Sequence, residues 1–93
     1  GLVADDGIGP SVYLQTKDIL RQIDSLLQQN RTDKTRILKA NIWLADIGSF
    51  DEMNKAWDEW VVPDQTPVRA TVEAKLADPI YKVEIMFEAL LGD

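Results

Sequence analysis

The chain has 93 residues, 45% hydrophobic and 28% charged, with a net charge of -6 and a pI near 4.5. One domain with a modest core is expected, and the acidic balance argues against a nucleic-acid partner. With no cysteine and no histidine, disulfides, a thiolate nucleophile, a Ser-His-Asp triad and the common zinc sites are excluded. Any acid–base chemistry falls to carboxylates, lysine, tyrosine, backbone or water. No run of 18 apolar residues exists, and GLVADDGIGP lacks a basic region followed by an apolar one, so neither a membrane span nor a signal peptide is expected. A cytoplasmic location is the expectation.

Residues 1–10 carry three glycines and a proline and read as a loop. From Ser11 to about Asn30, Val12, Thr16, Ile19, Leu20, Ile23, Leu26 and Leu27 form a stripe at helical spacing. Lys17, Asp18, Arg21, Gln22, Asp24 and Gln28 lie on the polar side. QNRTD is a polar turn. In RILKANIWLAD, Leu38, Ala40, Ile42 and Leu44 alternate with Lys39, Asn41, Trp43 and Ala45, which is strand periodicity.

Ser49-Phe50-Asp51-Glu52 reads as a capping box. The helix that follows is expected to bury Phe50, Met53, Trp57 and Trp60, and Pro63 and Pro67 close it off. Trp43, Trp57 and Trp60 are expected to be core or interface aromatics. Strands over 68–76 and 81–90, joined by a turn containing Asp78-Pro79, complete the order α-β-α-β-β. Two helices on one face of a three-stranded sheet leave the other face uncovered. Trp43, Thr71, Met86 and Leu90 are placed there among charges, and such a mixed face is expected to be buried against another subunit.

Arg69 stands at the entrance of the first of these last two strands, where sites tend to form, and its planar fork suits a carboxylate. Read as a hairpin with a four-residue turn, the strands set Arg69 opposite Glu88 and Glu73 opposite Glu84, an unfavourable pairing. Shifting the register pairs Glu73 with Lys82, or Lys75 with Glu84. In each register Arg69 and Glu84 share a face but are out of step by roughly 7–20 Å. A simple pair within one chain is not expected; if both serve one ligand, a second chain completes the site.

PVRATVEAKLADPIYKVEI resembles the C-terminal signature of the RidA/YjgF family of imine/enamine deaminases. Pro67, Arg69, Leu76, Val83 and Glu84 occupy its positions. KANIWLADIGSFDEMNKAWDEWV is similar to the family's strand followed by Phe-x-x-x-Asn, and Gly1 resembles the glycine of its Ser-Gly-Gln/Leu segment. The resemblance implies an α+β, chorismate-mutase-like fold over a single domain, residues 1–93, in a homotrimer with clefts between subunits. It also implies hydrolysis of reactive imines and enamines to 2-keto acids and ammonia, without metal or other cofactor.

By position, Arg69 would grip the substrate carboxylate and Glu84 would position or activate water. Gly1 and Asn54 would line the cleft, and Thr71 stands where many members carry cysteine. Members have further strands ahead of the position of Gly1, so the chain is expected to be truncated there relative to the family. A non-catalytic trimer that binds small carboxylates is the alternative. Ribonuclease activity or translation inhibition, which the resemblance also suggests, is less favoured by the acidic charge.

Overall fold

The computed structural model describes residues 1–92. Helix α1, Val12–Gln29, begins where Ser11 accepts a hydrogen bond from the Leu14 N–H, satisfying one of the free donors of the first turn. Its apolar stripe buries Val12, Thr16, Ile19, Leu20, Ile23 and Leu27. Leu26 stays partly exposed, and Gln15 and Asp18 are buried with the stripe, against the expectation that Asp18 lies on the polar side. Both are buried because each is saturated with hydrogen bonds. The Asp18 carboxylate accepts from the Asp5 N–H, Arg21 and Gln22. Gln15 donates to the Gly9 and Ile80 carbonyls and accepts from the Lys82 N–H.

Strand β1, Ile37–Leu44, is central. Ala40, Ile42 and Leu44 are buried under the helices as expected, but Leu38 is 52% exposed and Ile37 is buried instead. A register irregularity between Ile37 and Lys39 accounts for this: one extra residue reverses the alternation at the strand's start. Helix α2, Phe50–Trp60, follows a single helical turn, Ile47–Ser49. Ser49 occupies the N-cap position without a capping hydrogen bond. Its hydroxyl donates to the Asp46 carbonyl, while the Asp46 carboxylate accepts from the Gly48 N–H. The expected capping box is therefore replaced by an aspartate-anchored turn one step earlier. Met53, Ala56, Trp57 and Trp60 are buried, and Trp57 and Trp60 pack ring against ring at 5.6 Å.

The largest departure concerns the last two strands. β2, Val68–Glu73, and β3, Val83–Ala89, do not form a hairpin. The sheet order is β2-β1-β3, with β2 parallel and β3 antiparallel to β1. The β1–α2–β2 segment is a crossover unit, and a helix between two strands naturally returns the second one parallel to the first. Residues 74–82 then cross beyond the end of β1, where the Ala74 N–H donates to the Leu44 carbonyl and the Ala45 N–H to the Lys82 carbonyl. At the outer edge of β3, Leu2 and Ile85 exchange two backbone hydrogen bonds, of 2.7 and 3.0 Å.

This topology reverses the expected faces of β2. Arg69 is aligned with Ala40 and Thr71 with Ile42, so both share the helix side of the sheet. Val68, 73% exposed, and Val72, 52% exposed, lie with Trp43 and Met86 on the open side. Among the described residues no helix is long and apolar enough to cross a membrane.

Candidate functional site

The five residues singled out by sequence fall into two groups. The first is on the helix side. Arg69 at the start of β2 points toward α2, where its Nη1 donates to Asn54 Oδ1 at 2.7 Å. Its guanidinium carbon lies 5.5 Å from the Phe50 ring centroid and 5.3 Å from that of Trp57, within cation–π range. Burial lowers the Arg69 proton affinity, and the negative charge of Asp58 partly restores it; a guanidinium nevertheless remains charged at any ordinary pH. The Asn54 amide in turn donates to Asp58 Oδ2 at 3.2 Å. Thr71 lies two residues further along the same side, and its hydroxyl oxygen is buried with no hydrogen-bond partner among the described residues.

The second group is on the open side. Glu84 of β3 is aligned with Trp43 of β1, and its side chain is 30% exposed. The Leu2–Ile85 bridge sets Gly1 over it, with the Gly1 nitrogen 3.8 Å from Glu84 Oε2. A Cβ at Gly1 would lie 2.4 Å from Glu84 Oε2 and 2.7 Å from its Cγ. The lack of a side chain at position 1 is what lets the carboxylate lie where it does. The N-terminal segment is itself tied down from α1, by Asp18 accepting from the Asp5 N–H and Gln22 donating to the Val3 carbonyl.

The two groups do not meet. Arg69 and Glu84 are two strand spacings apart and three positions out of step along β1, which places their Cα atoms about 14 Å apart. They also project to opposite sides of the sheet. The expectation that Arg69 and Thr71 share the open face with Glu84 is thus corrected, while the expectation that Arg69 and Glu84 do not pair within one chain holds on different grounds. Two depressions of about 310 and 480 Å³ lie at the end of the sheet where β1 stops. The first is walled by Asp6, Gln15, Ile80 and Tyr81, the second by Glu73, Lys75 and Asp78, and neither includes any of the five residues.

Sequence reasoning missed that Phe50, Trp57 and Asp58 belong to the Arg69 environment. A signal was available: positions 50, 54, 57 and 58 share one face of a helix, and two aromatics beside an asparagine form a surface suited to a guanidinium. Among the described residues, no cluster of three or more aspartates and glutamates is placed to hold a metal ion.

Residues 3–91 match the family model for Endoribonuclease L-PSP. A RutC family protein of Haemophilus influenzae is 49% identical over 89 residues, covering 96% of this chain and 77% of that protein. The crystal structure of NMB1025 from Neisseria meningitidis, a member of the YjgF protein family, superposes with a TM-score of 0.94 at 44% identity, over 100% of this chain and 76% of that one. More distantly, the chloroplastic Reactive Intermediate Deaminase A of Arabidopsis thaliana is 28% identical over 87 residues, 91% of this chain and 46% of that protein. On the strength of a match from end to end and of a common two-helix, mixed-sheet architecture, the chain belongs to the RidA/YjgF/RutC family, described by its model as Endoribonuclease L-PSP.

Proposed function

We propose that the protein is an imine/enamine deaminase that hydrolyses reactive 2-imino and 2-enamino acids to 2-keto acids and ammonia, in clefts between the subunits of a homotrimer. The observation that carries this reading is the division of the site: a half-buried arginine on one side of the sheet and a partly exposed glutamate on the other. Neither half can act on a carboxylate substrate alone, and a cleft between neighbouring chains unites them. The open face supports the same assembly, because exposed Val68, Val72 and Met86 favour burial against further copies. The name of the Arabidopsis relative supports the reaction class.

In this reading Arg69 holds the substrate carboxylate through its guanidinium N–H groups beyond the one given to Asn54. Glu84 accepts a proton from water as its oxygen bonds to the iminium carbon. The resulting carbinolamine takes that proton on nitrogen, the C–N bond breaks while Glu84 accepts the hydroxyl proton, and ammonia leaves as the carbonyl forms. An enamine first takes a proton from solvent on its β-carbon, which gives the iminium ion directly. The iminium carbon is already electrophilic, so positioning and one general base suffice, without a redox group. The net charge of -6 disfavours RNA as the substrate.

The test is to generate 2-iminobutanoate with an amino-acid oxidase and follow its disappearance. A rate above buffer that is lost in Arg69→Ala and in Glu84→Gln supports the deaminase. A rate equal to buffer, with 2-oxobutanoate still bound by the wild type, overturns it in favour of a non-catalytic carboxylate-binding protein.

A further inference from the structure

Helix α2 presents Phe50, Asn54, Trp57 and Asp58 to one side chain, Arg69. The two rings lie near the guanidinium carbon at nearly equal distances, 5.5 and 5.3 Å, and restrict the plane it can adopt. Asn54 contributes its oxygen, but an asparagine amide can turn over and present its NH2 group instead, which would face the arginine donor to donor. Asp58 removes that option. An ionised carboxylate only accepts, so by taking the Asn54 Nδ2 hydrogen it commits the amide oxygen to Arg69.

We propose that Phe50, Trp57 and Asp58 are positioning residues that pre-orient Arg69 for its ligand, the rings by fixing the guanidinium plane and Asp58 by fixing the Asn54 amide. This rests on the reading of Arg69 as the carboxylate anchor. None of the three needs to touch the ligand. Their effect is that the arginine is ordered before binding, so less rotational freedom is lost when the carboxylate arrives. The consequence for specificity is directional: an anchor held in one plane accepts a carboxylate in one orientation and sets the azimuth of the reacting carbon.

Two measurements on the full chain test it. The first needs no ligand. In protein labelled with 15N-arginine, the Arg69 guanidinium signals, assigned by their loss in Arg69→Lys, should show slowed rotation about the Nε–Cζ bond. Phe50→Leu and Asp58→Ala should each speed it, and Asp58→Asn, whose amide can donate as well as accept and so no longer commits the Asn54 oxygen to Arg69, should speed it as well.

The second is calorimetric titration with 2-oxobutanoate. Phe50→Leu is expected to weaken binding about 3- to 10-fold, the effect of a partly desolvated cation–π contact. Asp58→Ala should weaken it about 2- to 3-fold, as suits an exposed partner, and Asp58→Asn, which replaces an acceptor-only group by one that also donates, should weaken it by a similar factor. A purely structural role would lower the melting temperature without moving either readout. Arg69 rotation as fast as that of an exposed arginine, or binding unchanged in both Phe50→Leu and Asp58→Ala, overturns the proposal. Failure of the anchor reading is seen separately, as binding that is absent in wild type or untouched by Arg69→Ala, and it removes the positioning role with it.

Discussion

The helix side and the open side of the sheet treat their charged residue in opposite ways. Arg69 is surrounded by its own chain: two rings, an amide and, through the amide, a carboxylate. Glu84 is bounded by a glycine, a tryptophan on the next strand and open surface. In the proposed reading the arginine is the anchor, held in place before its ligand arrives. The glutamate, partly exposed, is left open to a group supplied from elsewhere. In the proposed deaminase, a site divided in this way would assign binding to one face and proton transfer to the other, and the two can be perturbed separately.

Glu84→Gln gives the largest expected separation. Removing the proposed general base should lower kcat about 10²- to 10⁴-fold while the Kd for 2-oxobutanoate, measured by calorimetry, changes less than about twofold. Equal losses in both would join the two functions in one residue. Arg69→Ala is the complementary change. Loss of a charge-assisted bidentate contact, about 1.5–3 kcal/mol, should weaken keto-acid binding about 10- to 100-fold in the same titration.

Gly1→Ala then probes the open side alone. The added methyl would occupy space now taken by the Glu84 carboxylate, so that side chain must swing away. The turnover of 2-iminobutanoate should fall about tenfold. Thermal melting should be nearly unchanged, because the displaced atoms are the end of a flexible side chain.

The smallest effect comes through the tether that holds Gly1 in place. Burial alone would raise the Asp18 pKa, but the Asp5 N–H, Arg21 and Gln22 outweigh it and hold it below the ordinary carboxylate value. A folded-state pKa below the unfolded one contributes stability at pH values above the unfolded pKa of about 3.9, and that stability is lost as the pH falls through the folded value. Acid denaturation below about pH 4 should therefore be less steep in Asp18→Asn. At neutral pH that variant should be about 1–3 kcal/mol less stable by urea unfolding.

Much of this was legible in the sequence, and the failures have a common physical cause. The first helix follows from apolar spacing, with Ser11 and Asn30 at its ends, whereas the second follows a capping-box signal that the structure replaces with an Asp46-anchored turn. The helix-facing residues Ala40, Ile42 and Leu44 followed from alternation. Alternation in β2 is equally clear but does not say which face is which, because period-two patterning reports that two faces differ and not which one meets the helices. Val68 and Val72 are apolar yet exposed, consistent with a face that is covered only in an assembly.

The hairpin expectation fails because a short link between two strands does not by itself make them neighbours. The β1–α2–β2 crossover had already filled the place beside β1 on one side, leaving the other for β3. The candidate residues themselves came from a motif, and the motif carries no information about which of them share a chain's surface. Burial of the Asp18 carboxylate depends on a donor from outside the helix, the Asp5 N–H, which no helical periodicity can reveal.

The central claim is that each working cleft takes Arg69 from one chain and Glu84 from another. Subunit mixing tests it most directly. Arg69→Ala and Glu84→Gln proteins, each inactive toward 2-iminobutanoate alone, are unfolded together in equal amounts, refolded and assayed. In a closed three-membered ring, random mixing leaves about a quarter of the clefts with both native residues, so the predicted result is recovery of about a quarter of wild-type activity. Activity no higher than that of the separate variants, in a mixture shown to have exchanged subunits, would contradict the account and place both residues of each cleft in one chain.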